Sequence, residues 1–177
     1  MLKGPLCTLR HITAADLDTY IALLNEPSTR GDYWGAQFQS PDMISKEFAQ
    51  TGFATEERET LLIVDLQDQM VGMIFHFKGR TAICREIGYR ILRPELGGRG
   101  YMSHAVAMLC EHLFLAYQYN RLDIYMDVEN IASERIAQKC GFSYEGTMRG
   151  AFLVNGRLRD SKVYSRLRCE WAARRPA

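Results

Sequence analysis

The chain has 177 residues, 47% of them hydrophobic and 24% charged, proportions that are typical of one compact domain with a sizeable core. Its 22 Lys and Arg residues almost balance its 21 Asp and Glu residues, so the net charge of +1 argues against nucleic acid or an anionic membrane as the main partner. The five cysteines stand singly, without zinc or disulfide spacing. No apolar run has the length of a secretory signal or a membrane span. We expect a single domain over residues 1–177, cytoplasmic and without metal.

The first third of the chain is predicted to form a strand and two helices. The strand runs from Leu2 to Arg10, and the first helix begins at the Thr13 cap and ends before Pro27. The second helix opens at Ser40-Pro41, where serine can cap and proline suits the first helical position. The loop between the helices has aromatic residues that either wall a substrate pocket or anchor the loop to the core: Tyr33, Trp34 and Phe38.

From residue 60 the apolar pattern changes to period two and then alternates between helix and strand. Residues 61–66, 71–77 and 82–92 predict an antiparallel meander. A helix over residues 105–114 and a strand over 122–128 imply a parallel crossover, followed by a short helix over 131–139. Two strands flank the Asn155-Gly156 hairpin turn and finish the chain, at 142–149 and 162–170. The pattern predicts an α/β fold (α+β) with one mixed sheet.

The residues Gly97-Gly98-Arg99-Gly100-Tyr101-Met102 lie between a predicted strand and a predicted helix. Glycines let backbone N–H groups turn toward an anion, and the start of the helix adds unpaired donors and positive dipole charge. The loop is therefore either a phosphate cradle or a flexible turn. On the strand before it, Glu86, Gly88 and Arg90 share one face, which is either a solvated face or one side of a cleft.

Three segments resemble the GNAT superfamily of acetyl-CoA-dependent N-acetyltransferases, and within it the RimJ/RimL branch. They are CREIGYRILRPELGGRGYMSHAV from residue 84, NIASERIAQKCGF from residue 130 and YEGTMRGAFLVNGRLRDSKVYS from residue 144. The resemblance runs from Leu9 to Tyr164. It implies a GNAT-like sheet in which the strand that ends at Leu92 is splayed from the strand at residues 122–128.

The resemblance also implies how acetyl-CoA would bind. Its pyrophosphate would lie on the backbone of the glycine loop and the start of the next helix, at Gly97, Gly98, Arg99, Gly100, Tyr101, Met102 and Ser103. Gly97 stands where the family has a long polar residue, and Met102 stands where it has a small one. The pantetheine arm would pair with Ile91 and Leu92 like an added strand, and a Leu92 amide would face the acetyl carbonyl.

Acetyl transfer needs a neutral amine, so a base must take the amine's proton. Glu86 matches the position of the catalytic glutamate in some GNAT histone acetyltransferases. Asn130 and Ser133 match the family's N-x-x-A/S pattern, in which Asn contacts the pantetheine arm, although both could simply cap the next helix. Ala137 stands where many members have the tyrosine that protonates the leaving thiolate, which leaves Ser133, Tyr164 or solvent as the acid.

The resemblance implies an N-acetyltransferase that moves an acetyl group from acetyl-CoA to a primary amine by direct attack in a ternary complex. The acceptor would be a protein N-terminus, a polyamine or a small-molecule amine. The alternative is a non-catalytic acyl-CoA-binding sensor, in which Ala137 and Gly97 reflect the loss of catalytic activity. Family members often dimerise through their last strands, so a homodimer is possible.

Overall fold

The computed structural model describes residues 1–33 and 37–173, so the predicted pocket residue Trp34 and the tail after Ala173 lie outside the described residues. The described chain forms an eight-stranded sheet in the order β1-β2-β3-β4-β5-β6-β8-β7. The strands are β1 (Leu2–Lys3), β2 (Thr8–His11), β3 (Arg58–Val64), β4 (Met70–Lys78), β5 (Cys84–Ile91), β6 (Arg121–Asp127), β7 (Ser143–Val154) and β8 (Arg157–Leu167).

The helices are α1 (Leu17–Asn25), α2 (Pro41–Thr51), α3 (Tyr101–Ala116), α4 (Ile131–Lys139) and α5 (Arg168–Ala173), with short 3-10 turns at Ala14–Asp16, Pro27–Thr29 and Pro94–Leu96. Because β5 and β6 are parallel while β6 and β8 are antiparallel, the predicted mixed sheet is confirmed. The splay expected between β5 and β6 stays a prediction. Across residues 1–33 and 37–173, none of the helices combines the length and the apolar character that crossing a membrane requires.

The chain divides into two compact units, which we describe separately. The first unit comprises residues 1–75 and 89–105, and the second comprises residues 76–88 and 106–177. Both β4 and β5 run through both units. The expectation of a single domain stays a prediction.

In the first unit, the predicted single strand from Leu2 to Arg10 is wrong. The chain turns after Lys3, where the Gly4 N–H donates to the Cys7 carbonyl at 3.0 Å, and the two short strands β1 and β2 then pair with each other. The N-terminus of the first helix lies one turn later than expected, because a 3-10 turn precedes α1. The Asp16 carboxylate accepts the Thr13 N–H at 2.8 Å and so closes that turn.

In the second unit, α3 and β6 contribute fully buried apolar residues, namely Leu109, Cys110, Leu113 and Leu122. The predicted turn is confirmed, because Asn155 and Gly156 have φ of 50° and 76°, as a two-residue hairpin turn requires. The last strand begins and ends earlier than predicted, at Arg157 and Leu167, and the Leu167 N–H donates to the Glu170 carboxylate at 2.8 Å. That contact caps α5, which was not predicted.

Candidate functional site

The glycine loop of the first unit leads directly into α3. Gly98 and Gly100 have φ of 73° and 87°, which L side chains rarely adopt, and a Cβ atom at Gly98 would meet nothing within 4 Å. The loop is therefore open on its outer side. The first N–H groups of α3 have no acceptor within the helix, so they are donors for an anion. The Gly97 N–H differs, because it donates to the Pro94 carbonyl at 2.9 Å.

Met102, which departs from the family pattern, packs against a glycine of β4. A Cβ atom on Gly72 would lie 3.3 Å from Met102 Cε and 2.6 Å from the Arg90 carbonyl oxygen. Glycine at position 72 therefore makes room for the larger side chain at position 102. The Ser103 hydroxyl donates to the Gly100 carbonyl at 3.0 Å and so joins the loop to the first turn of α3.

The Leu92 amide, expected to face the acetyl carbonyl, already has a hydrogen-bond acceptor within the sheet. Its N–H donates to the Val71 carbonyl at 3.0 Å, which extends the contact between β5 and β4 by one residue beyond Ile91. The Arg93 side chain strengthens this edge, because its Nε donates to the Met70 carbonyl at 2.9 Å. The role expected of the Leu92 amide is wrong, and Ile91 and Leu92 as contacts of the pantetheine arm stay a prediction.

Glu86, in the second unit, is half-buried on β5 and is paired in register with Asp123 on β6. Burial raises the pKa of Glu86 to about 7, and the negative charge of Asp123 adds to the effect. Asp123 is itself 5% exposed and is held by Arg121, whose Nε donates to it at 2.6 Å. The Cys84 thiol donates to the other Asp123 oxygen at 3.1 Å. Glu86 can thus exchange a proton near neutral pH.

At the start of α4, the capping interpretation is confirmed for Asn130, whereas a capping role of the Ser133 side chain stays a prediction. The Asn130 side chain accepts the Ser133 N–H at 3.0 Å. The turn before it is held by Asp127, which accepts the Glu129 N–H at 2.8 Å through its carboxylate and the Asn130 N–H at 2.9 Å through its carbonyl. Arg159 on β8 donates to both Asp127 oxygens, at 2.7 and 3.0 Å.

The position of the family's tyrosine and the two candidate residues for the leaving-group acid differ in what surrounds them. Ala137 is completely buried. The Tyr164 hydroxyl donates to Glu134 at 2.7 Å and accepts from Gln138 at 3.3 Å. Burial and the Glu134 hydrogen bond raise the pKa of Tyr164, so its proton is held more tightly than in free tyrosine. Ser133 is 8% exposed, and its role as the acid stays a prediction.

Sequence reasoning missed a cavity of about 500 Å³ whose walls all belong to the second unit. It is lined by Arg80, Thr81, Cys84, Arg121, Asp123, Tyr125, Glu145, Gly146, Thr147, Met148 and Val163. One signal was visible in the sequence: on β6, Asp123 and Tyr125 alternate with apolar residues, so a buried strand presents a polar face. Within the described parts of the chain, no group of three His, Cys, Asp or Glu residues is arranged to hold a metal ion.

Comparison with known proteins gives consistent matches. A family model described as an acetyltransferase (GNAT) domain matches residues 7–143. The chain is 30% identical to YoaA of Bacillus subtilis, named as an uncharacterised N-acetyltransferase, over 163 residues that cover 89% of this chain and 90% of the relative. It is 28% identical to the ribosomal-protein-serine acetyltransferase of Escherichia coli over 60% of each chain.

The fold also matches a solved structure over nearly its full length. The crystal structure of spermidine N-acetyltransferase from Vibrio cholerae, in complex with CoA and spermine, superposes with a TM-score of 0.83. The match covers 96% of this chain and 99% of that one, at 21% sequence identity. At this level of identity the superposition shows a common fold.

Proposed function

The chain belongs to the GNAT family and is an acetyl-CoA-dependent N-acetyltransferase, and on this premise we propose that Glu86 is the base that deprotonates the amine acceptor. The observation that carries the proposal is the pKa of Glu86, raised to about 7. A general base works best when its pKa lies near the working pH, because it is then both ionised and basic enough to take a proton. An exposed glutamate would be ionised but too weak a base.

The proposed reaction is a direct transfer. Bound acetyl-CoA supplies an acetyl group activated as a thioester. Glu86 accepts a proton from the acceptor ammonium, directly or through one water, so that the nitrogen regains its lone pair. The nitrogen then forms a bond to the acetyl carbon as the carbon–sulfur bond breaks, and the new amide nitrogen releases its remaining extra proton to solvent. The departing thiolate takes a proton from solvent, or from Ser133, which solvent then reprotonates. Tyr164 is a weaker candidate for this acid because its proton is held by Glu134.

The geometry of the glycine loop fits the cofactor's pyrophosphate. The positive φ of Gly98 and Gly100 and the open space outside Gly98 leave the backbone accessible to an anion. We assign the pyrophosphate to the N–H groups from Gly98 to Ser103, which include those of Arg99, Tyr101 and Met102. Gly97 then helps to form the turn and does not donate to the pyrophosphate, because its N–H is already bonded to the Pro94 carbonyl.

Asn130 is proposed as a further contact of the cofactor, in addition to its capping bond. The cap uses its side-chain oxygen, which leaves the two donors of its side-chain amide for a carbonyl of the pantetheine arm. Ile91 and Leu92 are proposed contacts of the same arm. The proteins that this chain resembles include a ribosomal-protein-serine acetyltransferase and a spermidine N-acetyltransferase, which supports an amine as the acceptor. The RimJ/RimL branch, a homodimer and a cytoplasmic location stay predictions.

The function is tested by the release of free CoA thiol from acetyl-CoA with a panel of primary amines. We expect wild-type turnover at saturating acetyl-CoA to rise with pH through about 7 as Glu86 ionises. Glu86→Gln should lower turnover by about a hundredfold or more and abolish this inflection, because it removes the base. Its affinity for CoA should stay within a few-fold of wild type.

Asp42→Asn, which removes an exposed carboxylate from α2, is the control and should leave turnover and its pH profile unchanged. An unchanged turnover in Glu86→Gln would exclude Glu86 as the base. Tight CoA binding without thiol release from any amine would favour the sensor alternative.

A further inference from the structure

The cavity of about 500 Å³ in the second unit is lined by neighbours of the proposed base, although Glu86 itself does not line it. Asp123, which lines it, is the register partner of Glu86 on the neighbouring parallel strand, so the two side chains project from the same face of the sheet. The charge of Asp123 raises the pKa of Glu86, which also indicates that the two carboxylates are close. An acceptor in this cavity would therefore have its amine near Glu86.

The two carboxylates that line the cavity are already paired. Arg121 donates to Asp123 at 2.6 Å and to Glu145 at 3.0 Å, so one guanidinium bridges both. Glu145 also accepts a hydrogen bond from the Ser165 hydroxyl. The cavity therefore offers little uncompensated negative charge to a second cationic group of an acceptor.

Arg80 is the remaining charged residue of the cavity wall. It is exposed, and its guanidinium makes no hydrogen bond or ion pair with any residue in the ranges 1–33 and 37–173. Its position relative to Glu86 follows from the cavity wall, because Arg80 lines the same cavity as Cys84 and Asp123. Cys84 precedes Glu86 by two residues on the same face of β5, and Asp123 is the register partner of Glu86. The pKa of Tyr125, which also lines the cavity, is raised by burial, Asp123 and Glu86 and lowered by Arg80, in agreement with this arrangement.

We infer that the acceptor is an amine that also carries a carboxylate, with the carboxylate bound by Arg80 and the amine presented to Glu86. This inference rests on the proposed function. A guanidinium binds a carboxylate through paired, charge-assisted hydrogen bonds, and it repels a second ammonium group. The cavity is therefore suited to an amino-acid-like acceptor and not to a polyamine.

The test uses matched acceptors that differ in one charge: ω-amino acids of increasing chain length, the corresponding ω-amino amides, and the diamines of the same length. We expect kcat/KM for the best amino acid to exceed that for its amide by about tenfold, because the amino acid gains one charge-assisted contact with Arg80. Arg80→Ala should remove this preference by raising KM for the amino acid, while turnover of the amide stays unchanged. Arg80→Lys should restore part of it, and Arg157→Ala, an exposed arginine of the hairpin, should leave it intact.

The outcomes separate the inference from the proposed function. If wild-type protein prefers the amides or the diamines, or if Arg80→Ala lowers turnover of all acceptors equally, the inference is overturned while acetyl transfer to amines stands. If no amine releases CoA, the proposed function fails and the inference fails with it.

Discussion

Gly100 determines the shape of the loop through its backbone alone. Its φ of 87° is unfavourable for any other residue, yet a Cβ atom there would meet only Leu6 Cδ2, at an ordinary 3.8 Å. A side chain at this position therefore costs backbone strain and not a collision within the protein. If a side chain at this position lowers CoA affinity by more than backbone strain explains, the additional loss comes from its interaction with the bound cofactor.

Gly100→Asp should weaken CoA binding by about tenfold relative to Gly100→Asn, as measured by calorimetric titration. The two side chains have nearly the same shape and tolerate positive φ to a similar degree, so the difference isolates the repulsion between the carboxylate and the pyrophosphate. Gly52→Asp, at a φ of 59° at the end of α2, shows the cost of strain alone on thermal stability. Equal CoA affinities for the Asp and Asn variants would place the pyrophosphate elsewhere.

Met102 shows where residue-level prediction stops. The sequence shows that a large side chain occupies a position where the family has a small one, but not what accommodates it. The space comes from Gly72, which is distant in the chain and becomes a neighbour only once the structure has formed. The pairing of the Leu92 N–H with Val71 is unpredictable for the same reason.

At the scale of elements, prediction succeeded where the signal was local. Period-two and helical patterns placed β3 to β6 and α3 to α4, since burial of one face leaves its mark within a short window. It failed at β1 and at α5, where one hydrogen bond, from Gly4 or to Glu170, changes the course of the chain. The turn between β6 and α4 is predictable only in part. Its Asn130 cap is a local signal in the sequence, whereas the hydrogen bonds that Arg159 donates to Asp127 come from a distant strand.

Arg159→Ala should raise KM for acetyl-CoA several-fold while kcat changes little. Arg159 holds Asp127, whose carbonyl and carboxylate fix the turn that carries Asn130, so it acts as a positioning residue for a cofactor contact. Steady-state kinetics with varied acetyl-CoA measures the effect, and Arg159→Lys should recover part of it.

A double-mutant cycle separates positioning from a general loss of stability. If Arg159 acts through Asn130, Arg159→Ala should add nothing to the KM of Asn130→Ala. Arg157→Ala removes an arginine from the turn end of the same strand and should behave as wild type. Additive effects of the two substitutions on KM, or a fall in kcat at constant KM, would show that Arg159 does not act through Asn130.

At the scale of the whole molecule, the proposed base is held at the expense of stability. A carboxylate that is desolvated beside Asp123 favours its protonated form in the folded protein, whereas the unfolded chain has the ordinary value of 4.5. Between about 4.5 and 7 the folded state therefore binds more protons than the unfolded state, and the free energy of unfolding falls as pH rises. Above 7 the penalty is complete and constant.

Glu86→Gln should therefore be more stable than wild type at pH 8, with a difference that shrinks as pH falls toward 5. Urea denaturation of both proteins across this range measures it, because glutamine has no charge to desolvate. Asp16→Asn is the control of opposite sign: Arg10 holds the pKa of Asp16 well below its usual range, so this carboxylate is ionised throughout and its loss should destabilise the protein equally at every pH tested. A difference between Glu86→Gln and wild type that does not change with pH would mean that Glu86 titrates as an exposed carboxyl, and it would remove the observation that assigns this residue as the base.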